Sequence, residues 1–123
     1  MALIGQLLDQ AAGKGMPVLS TYLTLWCWVY DEGVVEIRSA REFAWESGFT
    51  GARAEGTWKA RMRRLEELGV IRSKKGLAGD FQYVLLLNPI KRLAELYADR
   101  QDDVLYIALL GRLAQVGADD LEV

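Results

Sequence analysis

The sequence contains no histidine and only one cysteine, Cys27. Without histidine, a Ser-His-Asp triad, a Cys-His pair and a His-bearing zinc site are all excluded. A single cysteine cannot form an internal disulfide, which favours a reducing compartment. Because Cys27 stands between two tryptophans, we expect a buried small residue rather than a nucleophile. The sequence therefore predicts a protein that is not an enzyme and uses no metal and no cofactor.

The chain also lacks a phosphate-binding glycine loop and a segment that could cross a membrane. Gly13-Lys14-Gly15 does not have the P-loop spacing. The longest apolar stretch, Val18 to Tyr30, is shorter than the roughly 20 residues that span a bilayer. The N-terminus has no basic region of the signal-peptide type. We therefore expect a cytoplasmic protein with no membrane partner.

Charge is distributed unevenly along the chain. The net charge is −2, yet ten basic and five acidic residues between Arg38 and Lys75 give that span a charge of +5. The remaining residues carry a charge of −7. A basic centre between acidic flanks suggests a surface that faces a polyanion.

The basic centre contains a predicted helix over residues 53–68. Trp58, Met62 and Leu65 recur at i, i+4 and i+7, so they share one face, and Gly69 is a typical helix terminator. The opposite face holds small and charged residues, with Arg64 at its edge: Gly56, Lys59, Ala60, Arg63 and Glu67. Such a face can enter a DNA groove, although an ordinary solvated helix would show the same pattern.

The residues before this helix predict a second, shorter helix. Ser39 and Glu42 form a capping box, and Gly48 marks the helix end. Phe49 to Ala52 then form a turn that contains Gly51. A helix, a short turn with glycine and a helix with a basic outer face are typical of a helix-turn-helix.

The residues after Gly69 predict a β-hairpin. Its strands are Val70–Lys74 and Phe81–Leu87, with a flexible tip from Lys75 to Asp80. Val34–Ile37 is a third short strand. Lys74 and Lys75 can reach phosphates beside a groove, or they protect the hairpin edge from aggregation.

The remaining segments predict further helices. Residues 1–12 form an N-terminal helix that packs on the domain or on a partner. A second helix has Pro17 in its first turn, and its dense aromatic residues indicate a core helix rather than a ligand site. Asn88 and Pro89 begin another helix.

The last helix is predicted over residues 102–117, capped by Asp102. Its apolar run from Val104 to Leu110 requires burial on two sides. The second side is either the core of the same chain or a second subunit, and we favour a homodimer through the terminal helices. The acidic tail, Gly117–Val123, is expected to be loose.

The order of these elements resembles that of the winged helix-turn-helix regulators of bacteria, plasmids and phages. The resemblance covers about Pro17 to Tyr97 and depends on element order and on the junction Leu65 to Arg72 (LEELGVIR). The flanking helices are similar to those of MarR-type repressors. The segment Ser73–Asp80 of this chain, however, lacks the wing motif of those repressors. The length of the chain and the absence of an internal repeat or linker predict one domain over residues 1–123, and the resemblance implies a winged-helix core at 17–97. The fold class is mainly α with a small antiparallel β-sheet.

The function expected from these features is sequence-specific binding of double-stranded DNA by a transcriptional regulator, either a repressor, which we favour, or an activator, located at the nucleoid or on a plasmid. Helix 53–68 would read the major groove, and the wing at 70–87 would touch the backbone. The alternative is a winged helix used for protein assembly, for example as an accessory to plasmid replication or maintenance. Binding of single strands would require aromatic side chains on the basic surface, and we expect the aromatics in the core. The candidate DNA-binding residues are Arg41, Arg53, Thr57, Lys59, Arg63, Arg64, Arg72, Lys74 and Lys75.

Overall fold

The computed structural model describes residues 2–29 and 33–115. Within them lie six helices and one three-stranded antiparallel sheet, which confirms the expected mainly helical class. The elements are α1 (Ala2–Ala12), α2 (Leu19–Cys27), β1 (Val34–Glu36), α3 (Ala40–Glu46), α4 (Ala54–Leu68), β2 (Ile71–Gly76), β3 (Gly79–Leu86), α5 (Pro89–Leu96) and α6 (Val104–Gln115). In the part of the chain described, none of these helices combines the length and hydrophobicity that a membrane crossing requires.

Helix α1 belongs to the core of the domain. Its Leu7 and Leu8 are fully buried, and the Leu7 carbonyl accepts a hydrogen bond from the Tyr97 hydroxyl at 3.2 Å. Asp9 also fixes the next helix, because its Oδ1 accepts from the backbone N–H groups of Val18 and Leu19 at 2.6 and 2.8 Å. A carboxylate at a helix N-terminus satisfies free donors there.

Helix α2 starts later than the sequence predicts. Pro17 lies outside the helix, which begins at Leu19, because Asp9 supplies the cap instead. Tyr22 and Leu25 are fully buried, so α2 is a core helix as expected. The expectation of a buried Cys27 is wrong, because this residue lies at the exposed C-terminal end of the helix.

The sheet has the strand order β1-β3-β2, with β3 in the centre. Val35 and Val84 are paired and fully buried on the inner face. The hairpin tip is shorter than predicted, because β2 continues to Gly76, which pairs with Gly79. Only Leu77 and Ala78 therefore form the turn, and Lys75 belongs to the strand.

Helices α3 and α4 match the predicted helix pair to within one or two residues at each end. The Ser39 hydroxyl accepts from the backbone N–H of Glu42 at 3.2 Å, as the capping box predicts. Gly69 ends α4 with φ of 83°, a left-handed conformation that glycine adopts without strain. Trp58, Met62 and Leu65 are buried as predicted.

Helices α5 and α6 close the other side of the domain. Asn88 caps α5 by accepting from the backbone N–H of Ile90 at 3.0 Å, as expected. The cap of α6 is Asp103 rather than Asp102, because the Asp103 carboxylate accepts from the N–H of Tyr106. Tyr106 stacks on Tyr97 with ring centroids 5.4 Å apart. The predicted tail, Gly117–Val123, lies outside the described residues.

Candidate nucleic-acid interface

The outer face of α4 is open and carries unpaired positive charge. Burial of Trp58 against the core directs Arg63 outward, where it is exposed, and leaves Lys59 half-buried beside the hairpin. Within the described part of the chain, neither Lys59 nor Arg63 forms an ion pair or a side-chain hydrogen bond. Both donors are therefore available to an external acceptor.

Gly56 lies on this open face, one turn before Lys59 and Ala60. A Cβ built on Gly56 would meet no atom within 4 Å, so packing inside the protein does not require a glycine there. Gly56 is the third residue of α4, and glycine in a helix costs up to about 1 kcal/mol relative to alanine, the full amount applying in the helix interior. Gly56 is therefore neither favourable for the helix nor required by packing. Its missing side chain leaves room for another molecule to approach the helix backbone closely.

One flank of α4 is joined to the end of α1 by hydrogen bonds. The Arg64 guanidinium donates to the carbonyls of Ala12 and Ala11 at 3.2 and 3.3 Å, and its side chain is only 30% exposed. These carbonyls end α1 and have no partner within their own helix. Arg61 donates in the same direction, to the Gly15 carbonyl at 3.2 Å. The structure therefore gives the predicted DNA contact Arg64 a role in holding two helices together.

The other flank of α4 is joined to the hairpin. The Glu66 carboxylate accepts from the Ser73 backbone N–H at 2.9 Å and from its hydroxyl at 2.6 Å. Towards the tip of the hairpin, Lys59 and residues 78–82 line one small crevice. The hairpin is thus fixed beside the open face of α4.

The remaining helical candidates lie near the starts of α3 and α4. Arg41 is exposed in the first turn of α3, and Arg53 is exposed immediately before α4. Thr57 is half-buried on the flank that carries Arg61 and Arg64. Arg53, Lys59 and Arg63 accordingly supply the positive charge at the start and on the outer face of α4, where Glu55 and Glu67 are exposed as well.

The strand candidates Arg72 and Lys74 lie on the far face of the sheet. Ser73 points towards α4, where it contacts Glu66, and neighbouring residues in a strand point to the opposite face. Arg72 pairs with Leu85 and Lys74 with Tyr83 on that outer face. The structure therefore separates the predicted residues into a helix group and a sheet group.

Exposed aromatic side chains are the feature that the sequence interpretation missed. Trp45 is 70% exposed on α3, and Tyr83 is 41% exposed at the centre of the outer sheet face. Exposed Tyr83 and Leu85 alternate with buried Val84 and Leu86, but all four residues are apolar, so β3 carries no polar/apolar alternation that could have identified the outer face.

The shifted pKa values belong to tyrosines of the core rather than to residues of this surface. Burial raises the pKa of Tyr22 to about 12 and also raises the pKa of Tyr97, and both tyrosines lie in the core. Among the described residues, no three Cys, Asp or Glu side chains are grouped to hold a metal ion. No protein-family model, curated protein or solved structure matches the chain.

Proposed function

We propose that this chain is a winged helix-turn-helix protein that binds double-stranded DNA in a sequence-specific manner and acts as a transcriptional repressor. The open basic face of α4 is the observation that carries the proposal. In this interpretation α3 and α4 are the helix-turn-helix, and β2 with β3 is the wing. The hydrogen bonds from Ser73 to Glu66 hold the wing beside the reading helix.

The contacts follow from the positions of the side chains. Lys59 and Arg63 enter the major groove, where lysine or arginine commonly binds guanine. Arg41 and Arg53 contact phosphates, which orient the protein without reading sequence. Thr57 adds a hydroxyl donor at the groove edge. A location at the nucleoid or on a plasmid would follow from this activity.

Salt dependence of binding tests the proposal. A labelled random duplex would be titrated with protein and followed by fluorescence anisotropy between about 50 and 200 mM salt. A random duplex offers no selected bases, so Lys59 and Arg63 should contact phosphates there, as Arg41 and Arg53 do. Four such contacts should lower the affinity about 100-fold across that range. Absence of duplex binding at the lowest salt would overturn the proposal.

Substitution of Gly56 by alanine should change stability and binding in opposite directions. The new methyl group meets nothing in the protein, so the free energy of unfolding should rise by up to about 1 kcal/mol. Affinity for duplex DNA should fall, because the methyl group occupies the surface that faces the groove. Thermal unfolding and anisotropy measure the two effects, and an unchanged affinity would show that the duplex does not approach Gly56.

We also propose that the protein is a homodimer through α6. Val104 and Ile107 are 80% and 53% exposed, whereas Tyr106 and Leu109 on the other side of the helix are buried. The fully buried Leu7 and Leu8 commit α1 to its own domain, which leaves α6 as the proposed contact. A two-fold dimer would bind two half-sites about one helical turn apart.

The dimer proposal predicts a change of mass in solution. Replacing both Val104 and Ile107 with glutamine should convert a sedimenting dimer into a monomer with unchanged circular dichroism, because neither side chain contributes to the core. A native protein that sediments as a monomer at all concentrations would contradict the proposal.

A second candidate function is protein assembly without DNA reading. The exposed Trp45 favours it, because tryptophan is enriched at the centres of protein interfaces. Contacts of this apolar kind depend little on salt, unlike phosphate contacts. The salt series therefore separates the two functions.

A further inference from the structure

The outer face of the sheet presents two cross-strand rows to solvent. In one row, Leu85 of β3 lies between Val34 of β1 and Arg72 of β2. In the other row, Tyr83 lies between Glu36 and Lys74. Val34, Tyr83 and Leu85 are the exposed apolar residues, at 37%, 41% and 38%, and no helix of the described chain covers this face.

The charge on this face is positive. Arg72 and Lys74 are exposed, and in the described chain neither forms an ion pair. The one carboxylate of the two rows, Glu36, is neutralised by Arg38 at 3.4 Å. The face therefore combines an aromatic ring and aliphatic side chains with unpaired cations along one edge strand.

We propose that this outer sheet face binds single-stranded nucleic acid, with a base stacked on the ring of Tyr83 and the phosphates bound by Arg72 and Lys74. Aromatic rings on a basic surface bind single strands because every base has a flat π-face. The Gln82 amide donates to the Tyr83 hydroxyl at 3.3 Å, which restrains the ring. The site is separate from the face of α4 proposed to read duplex DNA.

The size and charge of the face limit its occupant. Three strands at about 4.8 Å spacing span about 10 Å, which is the width of one or two nucleotides. A second copy of the chain is a poor occupant, because two such faces would bury four cations, Arg72 and Lys74 of each copy, with Glu36 as the one carboxylate that each face supplies. A polyanion with flat apolar groups matches both features.

Substitution of Tyr83 tests the inference. A short labelled thymidine oligonucleotide, which forms no duplex, would be titrated at low salt and followed by anisotropy. Tyr83→Leu keeps an apolar side chain but removes the stacking ring, and should weaken binding about fivefold or more. Tyr83→Phe keeps the ring and should retain binding. Trp45→Leu, which removes an exposed aromatic from α3, is the matched control and should change nothing.

A crosslinking experiment identifies the position of the base. A strand containing 5-iodouracil should, on irradiation, crosslink to the peptide that holds Tyr83. Equal binding by native protein and Tyr83→Leu, a crosslink confined to another element, or no single-strand binding at all would overturn the inference. A concentration-dependent dimer that Tyr83→Leu abolishes would also overturn it, in favour of a second copy.

The two proposed nucleic-acid activities can fail independently. Lys59→Ala with Arg63→Ala should leave thymidine binding unchanged while it weakens duplex binding. Tyr83→Leu should do the reverse. If Lys59→Ala with Arg63→Ala abolishes both activities in a folded protein, single strands bind at α4 and the outer sheet face is not the site.

Discussion

Replacing Trp58 with alanine is expected to lower the free energy of unfolding by about 3–5 kcal/mol. The side chain is 1% exposed and touches two other rings, Phe43 with centroids 6.3 Å apart and Phe81 at 6.0 Å. It therefore joins α3, α4 and β3 in one cluster. Loss of the indole leaves a cavity where these elements meet, and the cost adds to the lost burial.

Urea denaturation followed by circular dichroism measures this effect, with Trp58→Phe as the control. The Trp58 Nε1 is buried and has no hydrogen-bond acceptor in the described chain. The phenylalanine variant therefore loses no hydrogen bond and should be clearly more stable than the alanine variant. Since domains are stable by about 5–15 kcal/mol, a loss of about 3–5 kcal/mol is a large fraction of the total and should clearly lower the urea concentration at the midpoint of unfolding. Equal stability of the alanine variant and the native protein would contradict the proposed role of the ring cluster.

Local patterns predicted the elements around Trp58 because each depends on neighbours in sequence. The spacing of Trp58, Met62 and Leu65 identifies the buried face of α4, and Gly69 ends the helix. The caps at Ser39 and Asn88 are also local. Features that depend on distant partners were not predicted: Asp9 caps α2 from another helix, and this shifts the start of α2 beyond Pro17.

The candidate site also depends on contacts between residues that are distant in sequence, and these were not predicted. A helical wheel places Arg64 about 100° from Arg63, at the edge of the outer face, but it does not show which of the two arginines contacts another helix. The structure separates them, because α1 ends beside Arg64 and supplies two free carbonyls. For the strands, register decides the outcome: the pairing of Ser73 with Val84 places Arg72 and Lys74 on the outer face. Neither the position of α1 nor the register could be read from composition and spacing.

The sequence also did not predict which apolar residues are exposed at the end of a helix. Cys27 and Trp28 continue the apolar pattern of α2, which predicts burial for both. The helix ends at Cys27, so both residues are exposed. An apolar residue is buried only where another element packs on it, and periodicity gives no information on that element.

Replacing both Lys59 and Arg63 with alanine should weaken binding to a selected duplex site by about 100-fold. A well-placed contact to a base contributes about 1–3 kcal/mol of discrimination. On a random duplex, where the same two cations contact phosphates, their loss should reduce the salt dependence of binding by about two contacts. Stability should change little, because Arg63 is exposed and neither side chain has a partner in the described chain. Anisotropy on the selected site and on a random duplex would measure affinity and specificity together.

Arg64→Ala is the matched control, since it removes one positive charge from the same helix. Arg64 donates two hydrogen bonds to the end of α1, and its partial exposure reduces their value to about 1–2 kcal/mol. This variant should therefore lose stability while it keeps most of its affinity when the folded fraction is equal. If Arg64→Ala weakened duplex binding more than the Lys59 and Arg63 pair, the DNA-reading face would lie on the flank of α4 towards α1. The opposite result would show that the two adjacent arginines have different roles. Arg63 would bind DNA and Arg64 would stabilise the fold, because the end of α1 contacts only Arg64.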